Sequence, residues 1–150
     1  MVHPLAVAHL VAMYTEDEDL VIAALLHDVI EDTVRTKFDI EAMFGSTVAH
    51  LVEQLTKTTT HKDGNRAARK KIDNARLAKA CSEVKLIKLC DIFDNIQDLA
   101  RTDPDFAETY IREKLELLPL LNDIDVPPDL FEKVHVALLH QLDLLEQTRN

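Results

Sequence analysis

The chain has 150 residues with 17 Lys/Arg against 27 Asp/Glu, a formal net charge of −10. That length suits one domain with a real core, and the acidity argues against a nucleic-acid polymer as partner. Hydrophobic residues make up 47% with two glycines and no tryptophan, which excludes a turn-rich β fold and predicts an all-α, compact multi-helix bundle.

About eight helices are expected in chain order. The first spans residues 4–13, with Pro4 at a permitted first-turn position, Leu5, Val7, Ala8, Val11 and Ala12 as apolar contacts, and His3 just ahead. Thr15 and Glu18 have capping-box spacing and are expected to open the second, which runs into residues 21–33. After a break at 33–36, a short helix over 37–44 stops at Gly45. Ser46 is expected to cap the next, 47–55, with Val48, Leu51, Val52 and Leu55 on one face. Residues 56–64 lack apolar periodicity and read as a loop or lid, followed by a basic helix over 65–80. Ser82 starts the most hydrophobic helix, 83–100, with Leu86, Leu89, Cys90, Phe93 and Ile96 as a core stripe and Lys88, Asp91, Asn95 and Asp98 as a polar one. Pro104 opens a helix to about 118, and Pro127 and Pro128 open the last, through Val134, Ala137, Leu138, Leu142 and Leu145. With no internal repeat or linker, residues 1–150 are expected to form a single domain. No apolar stretch reaches the roughly 20 residues that cross a bilayer, and no signal peptide precedes the first helix, so no membrane is expected. Cys81 and Cys90 lack CxxC spacing and a disulfide framework. They read as small core residues in a reducing, cytoplasmic setting.

The chemistry concentrates in Val21-Ile-Ala-Ala-Leu-Leu-His-Asp-Val-Ile-Glu-Asp-Thr33. On a continuous helix His27 lies one turn before Glu31, and Asp28 one turn before Asp32. Three carboxylates at a helix C-terminus repel one another and the dipole, which a bound cation would relieve; the bland alternative is a solvated helix end. Residues 57–79 hold Lys57, Lys62, Arg66, Arg69, Lys70, Lys71, Arg76 and Lys79 against Asp63 and Asp73, so the acidic chain carries one basic segment. Such a segment suits a small phosphorylated ligand, or forms a solvated helix face.

His3, His27, Asp28, Glu31, Asp32 and Asp91 are the leading ionisable candidates. Two imidazoles with carboxylates suit one divalent metal ion with open positions; manganese, iron and zinc all fit, and an added acidic pair suits activation of water. Asp91 alone also reads as part of an exposed helix face. His135 and His140 sit among apolar residues of the last helix and read as structural or partly exposed. His9 and His50 lack acidic companions, and His61 lies in the basic loop where a phosphate could meet it.

Four stretches together resemble a known family: His3-Pro4-Leu-Ala-Val7; Ala24-Leu-Leu-His-Asp-Val-Ile-Glu-Asp-Thr33; Phe44-Gly45 with Val48-Ala49, Leu51-Val52 and Leu55-Thr56-Lys57; and Ile87-Lys-Leu-Cys-Asp91-Ile-Phe-Asp-Asn95. In this order, across about the first 100 residues, they are similar to the HD-type hydrolase domain of RelA/SpoT-type enzymes, and in length to stand-alone small alarmone hydrolases. The resemblance implies an HD-domain helical bundle and a manganese-dependent removal of the 3′-pyrophosphate from guanosine tetra- or pentaphosphate. It assigns His3, His27, Asp28 and Asp91 to the metal and Glu31 and Asp32 to the attacking water. Asn95, Arg69, Lys70 and Lys57 fall to the substrate, a small nucleotide polyphosphate.

Three departures stand out. Family members usually carry a helix with basic residues ahead of the His-Pro element, where this chain has Met1 and Val2, so base recognition is expected to come from elsewhere or to be looser. Asp91-Ile-Phe-Asp-Asn95 carries Asp94 and lacks the family's basic residue, making that neighbourhood more acidic. An aromatic near the substrate is not evident in residues 113–119, and Tyr110 lies out of register. These leave two other readings: an HD phosphohydrolase acting on another nucleotide, such as an adenosine 3′-pyrophosphate or a nucleoside monophosphate, and a non-catalytic nucleotide sensor. The oligomeric state stays open, a homodimer included.

Overall fold

A single helix, Ser82–Thr102, is buried on nearly all sides, and the other elements are arranged around it. The computed structural model describes residues 2–28 and 36–148. Among them are eight α-helices and no strand: α1 Val2–Tyr14, α2 Glu18–Leu26, α3 Lys37–Phe44, α4 Ser46–Leu55, α5 Arg66–Ala78, α6 Ser82–Thr102, α7 Pro104–Leu117 and α8 Pro128–Thr148. Short 3₁₀ turns occupy His61–Asp63 and Leu118–Leu121. The all-α expectation is met.

Helix α6 buries Val84, Ile87, Leu89, Cys90, Ile92 and Ile96, which is the pattern of a central helix rather than a surface one. It packs against α1, α7 and α8, and less extensively against α4 and α2. Val7 and Val11 of α1, Val48 and Val52 of α4, Ile111 of α7 and Val134 and Leu138 of α8 complete the core. Cys90 lies in this core and Cys81 at its margin, both as free thiols. No helix among the described residues is long and apolar enough to cross a membrane.

Local chemistry corrects three details of the sequence reading. Thr15 does not cap α2: its hydroxyl accepts from the Asp17 amide at 3.1 Å, and Asp17 itself caps the helix by accepting from the Asp19 amide at 2.9 Å. Ser46 is not a cap either. Gly45, at φ +97°, both ends α3 through its N–H to the Glu41 carbonyl and opens α4 through its own carbonyl, which accepts from Ala49. A side chain would disfavour that backbone, so a glycine makes the corner. The third correction concerns α2, which stops at Leu26. His27 follows as its C-cap, and its Nδ1 takes the Ala24 carbonyl at 2.5 Å, satisfying a helix-end acceptor with a side chain. His27 and Asp28 thus sit in a turn rather than in the helix, and Glu31 and Asp32, expected to form ridges with them, lie outside the described residues.

Candidate metal centre and lysine-lined cavity

Three helices bring four of the predicted residues together. α1 supplies His3, the end of α2 supplies His27 and Asp28, and α6 supplies Asp91, which is 6% exposed rather than part of a solvated face. Asp91 Oδ1 lies 2.8 Å from His3 Nε2 and 3.2 Å from His27 Nε2, while Asp28 Oδ2 lies 3.2 Å from the same His27 nitrogen. His3, His27 and Asp28 each offer a ligand atom, and these atoms all lie within 4.8 Å of one another.

The tautomer of His27 decides what this cluster can hold. Its Nδ1–H donates to Ala24, which leaves Nε2 buried, without a hydrogen-bond partner and facing two carboxylates. Buried polar atoms are seldom left so, and a neutral imidazole presenting a lone pair beside carboxylate oxygens is a donor set suited to a divalent cation. Without a cation the balance goes another way. Burial opposes charge on His27, but Asp28 and Asp91 prevail and raise its pKa to about 10. The His3 hydrogen bond to Asp91 likewise raises the His3 pKa, against burial and with help from Asp94. Burial alone would push the Asp91 carboxyl up, yet Lys88, His27 and His3 hold it well below the usual range. A cation at this point would take over the role of those protons.

The cluster opens onto a cavity of about 260 Å³. Lys57, Lys70, Lys88 and Lys114 line it together with the imidazoles, and Asn95, Tyr110 and Leu55 complete the wall. Local folding explains the placement of Lys57 and Lys70. Thr56 caps the end of α4 by donating its hydroxyl to the Val52 carbonyl at 2.7 Å, which turns Lys57 toward the cavity. Thr59 donates to the buried Asp73 carboxylate at 3.1 Å, tying the segment after α4 to α5. Within that segment Thr60 and Asp63 form a capping box around the 3₁₀ turn, so the predicted loop has internal structure. Arg66 forms a two-point ion pair with Glu113 of α7 at 2.7 and 3.0 Å and lies over the Phe106 ring, which fixes the face of α5 that carries Lys70.

Lys57, Lys70 and Asn95 thus join the metal-type cluster, whereas Arg69 does not line the cavity and its Nε turns to the Asn65 carbonyl. His61, His9 and His140 are exposed and His135 half-buried, all away from it. Sequence reasoning missed Lys88, Lys114 and Tyr110. Lys88 Nζ lies 3.1 Å from Asp91 Oδ2. Lys114 is 6% exposed, and burial together with Lys88 and Lys70 lowers its pKa to about 7. Burial, with the neighbouring Arg66 charge, also lowers the pKa of Lys70. Tyr110, expected to lie out of register, is part of the wall; its ring is 5.2 Å from Lys114 Nζ, and burial pushes its hydroxyl pKa up.

Comparison with known proteins gives the family and the fold. Residues 1–121 match the family model of the HD domain. A guanosine-3′,5′-bis(diphosphate) 3′-pyrophosphohydrolase of Vibrio cholerae is 38% identical over 120 residues, 78% of this chain and 17% of that protein. The MESH1 protein of Homo sapiens, described as the same type of hydrolase, is 34% identical over 117 residues, covering 76% of this chain and 64% of its own. The chain thus spans about a sixth of the first of these relatives and just under two thirds of the second. A solved structure, described as a metazoan ortholog of SpoT that hydrolyzes ppGpp, superposes with a TM-score of 0.75 at 28% identity, covering 99% of this chain and 80% of that one. A protein of Listeria monocytogenes superposes equally well, with a TM-score of 0.75 at 26% identity and 94% of each chain covered. A helical bundle whose His and Asp side chains meet where three helices converge, matched over four fifths of its length by one family model, identifies the chain as a member of the HD domain family and a relative of the MESH1 and SpoT ppGpp hydrolases.

Proposed function

We propose that the protein is a manganese-dependent hydrolase that removes the 3′-pyrophosphate of guanosine tetra- or pentaphosphate, leaving GDP or GTP. The carrying observation is the convergence of His3, His27, Asp28 and Asp91 at a cavity that four lysines and Asn95 also line. An acidic protein has little reason to gather four lysines around one cavity, with one of them buried, unless its ligand is a polyanion.

In this reading His3, His27, Asp28 and Asp91 hold one divalent cation, which when bound offsets phosphate charge and makes water easier to deprotonate. Glu31 and Asp32, which follow Asp28 in the chain, are assigned to the attacking water: one carboxylate accepts its proton and the other orients it. Lys57, Lys70, Lys88 and Lys114 bind the phosphate oxygens and offset the charge that develops on them during P–O cleavage. Asn95, beside Asp91 on α6, is positioned to hydrogen-bond the ribose or the departing pyrophosphate. The oxygen of water ends on pyrophosphate, and the proton on the nucleotide 3′-hydroxyl.

The test is product analysis by ion exchange after incubating the purified protein with Mn2+ and ppGpp. GDP and pyrophosphate are expected, and Glu31→Gln or Asp32→Asn is expected to lower kcat by at least roughly 100-fold while substrate still binds. Unchanged ppGpp, with cleavage of an adenosine 3′-pyrophosphate or release of orthophosphate from a nucleoside monophosphate, would replace this reading with a different nucleotide substrate. Tight ppGpp binding with no turnover would make the protein a sensor.

A further inference from the structure

The His3 imidazole is bracketed by two carboxylates of the same helix. Its Nε2 faces Asp91 Oδ1 at 2.8 Å and its Nδ1 lies 2.5 Å from Asp94 Oδ2. Asp91 and Asp94 stand three residues apart on α6, so both project toward α1 from one helix face. His27 shows the same division of labour by other means: Nδ1 is held by a backbone carbonyl, Nε2 faces the cluster. His3 has no such backbone tether. It stands in the first turn of α1, where a helix lacks upstream hydrogen bonds and is least constrained.

We infer that Asp94 is the positioning residue of the metal centre: by accepting the Nδ1–H of His3, it fixes the ring's tautomer and orientation so that Nε2 is presented to the cation. A carboxylate on the far nitrogen of a ligand imidazole also makes the near nitrogen a better donor. The inference rests on the proposed role of His3 as a ligand. It goes beyond that role in making the acidic residue at position 94 a functional part of the centre, where sequence reading found only a more acidic neighbourhood. It also explains how a ligand on a helix's opening turn keeps its geometry: α6, the most buried element, grips the ring from both sides.

Manganese titration by calorimetry, with free Mn2+ followed by electron paramagnetic resonance, tests this on the full chain without needing turnover. Asp94→Ala is expected to weaken Mn2+ binding roughly 10- to 100-fold. Asp94→Asn, whose amide oxygen still accepts from Nδ1 but without the carboxylate's charge, should fall between wild type and Asp94→Ala. Asp98→Ala removes the same charge one turn further along, from an exposed side chain paired with Arg101, and should change nothing. A second readout covers a poorly folded Ala variant: in diamagnetic wild-type protein a downfield imidazole N–H signal, absent in His3→Gln, should move upfield in Asp94→Asn. Wild-type affinity in Asp94→Ala would overturn the inference while leaving the metal reading intact. Equal losses in all three variants would reduce Asp94 to a background charge and overturn it too. Failure of the wild-type protein to bind Mn2+ at all would remove the metal reading, and the role of Asp94 with it.

Discussion

Lys114 is the residue whose burial has the plainest energetic consequence. Its ordinary pKa of 10.5 falls to about 7 because burial, Lys88 and Lys70 outweigh the attraction of Asp91 and Glu113. Between those values the unfolded chain binds a proton that the folded chain does not, so this group makes stability rise with pH from about 7 to 10.5. Below pH 7 the full cost of the buried cation is present. Lys114→Met is therefore expected to stabilise the fold at pH 6 by roughly 3–5 kcal/mol, with the gain shrinking toward zero above pH 10.5. Urea unfolding of both proteins at pH 6 and pH 10 measures it, and an equal gain at both would show that burial of charge is not the cause. The same substitution should raise KM for a polyphosphate substrate, marking a group retained for binding at the expense of stability. Little of this was legible in the sequence. Glu113-Lys114-Leu115-Glu116 reads as a solvated run, and the available signal was spacing: Tyr110, Lys114 and Leu117 share one helical face with Ile111, and all four are buried. Asp91 was legible as a candidate only through its company, since its own helix pattern predicts exposure.

Among the elements, the segment between α4 and α5 depends on α5 for its shape. Asp73 is buried, and the Thr59 hydroxyl donates to both its oxygens, at 3.1 and 3.3 Å. Asp73→Ala should free residues 57–65 and displace Lys57. KM for the substrate is expected to rise several-fold with a smaller change in kcat, and stability to fall by about 1 kcal/mol. Steady-state kinetics and thermal melts check both, and an unchanged KM would detach this segment from substrate binding. Apart from the end of α2, the helices themselves were legible to within two or three residues, because apolar spacing and the prolines at 104 and 128 act locally. Caps were less so. Thr15, Asp17, Thr36 and Ser46 all have capping side chains, and which of them closes a hydrogen bond depends on where the preceding chain arrives. The same holds for the end of α2, where the His27 ring competes for the Ala24 carbonyl.

For the whole molecule, one central helix serves both core and site: Ile87, Leu89, Ile92 and Ile96 anchor α6 among its neighbours, while Lys88, Asp91, Asp94 and Asn95 face α1 and the cavity. The fold class followed from composition and periodicity, and the order of the motifs indicated which helices must meet. The distances between them came only with the packing. The lysine-lined cavity has a further consequence for how fast a polyanion can arrive. At about 10 mM salt the screening length is roughly 30 Å, so an approaching nucleotide senses the entire chain and its net charge of −10. Near 0.1 M it shortens to about 10 Å, and the charges lining the cavity, with lysines outnumbering carboxylates, weigh more than the distant acidic surface. The encounter rate, read as kcat/KM under diffusion-sensitive conditions, should therefore increase as monovalent salt is raised from about 10 to 100 mM. A monotonic decline would mean that the local lysine field governs approach even at long range. Moderate ionic strength would act on this molecule as a lens, hiding the repulsive exterior from a ligand that the interior attracts.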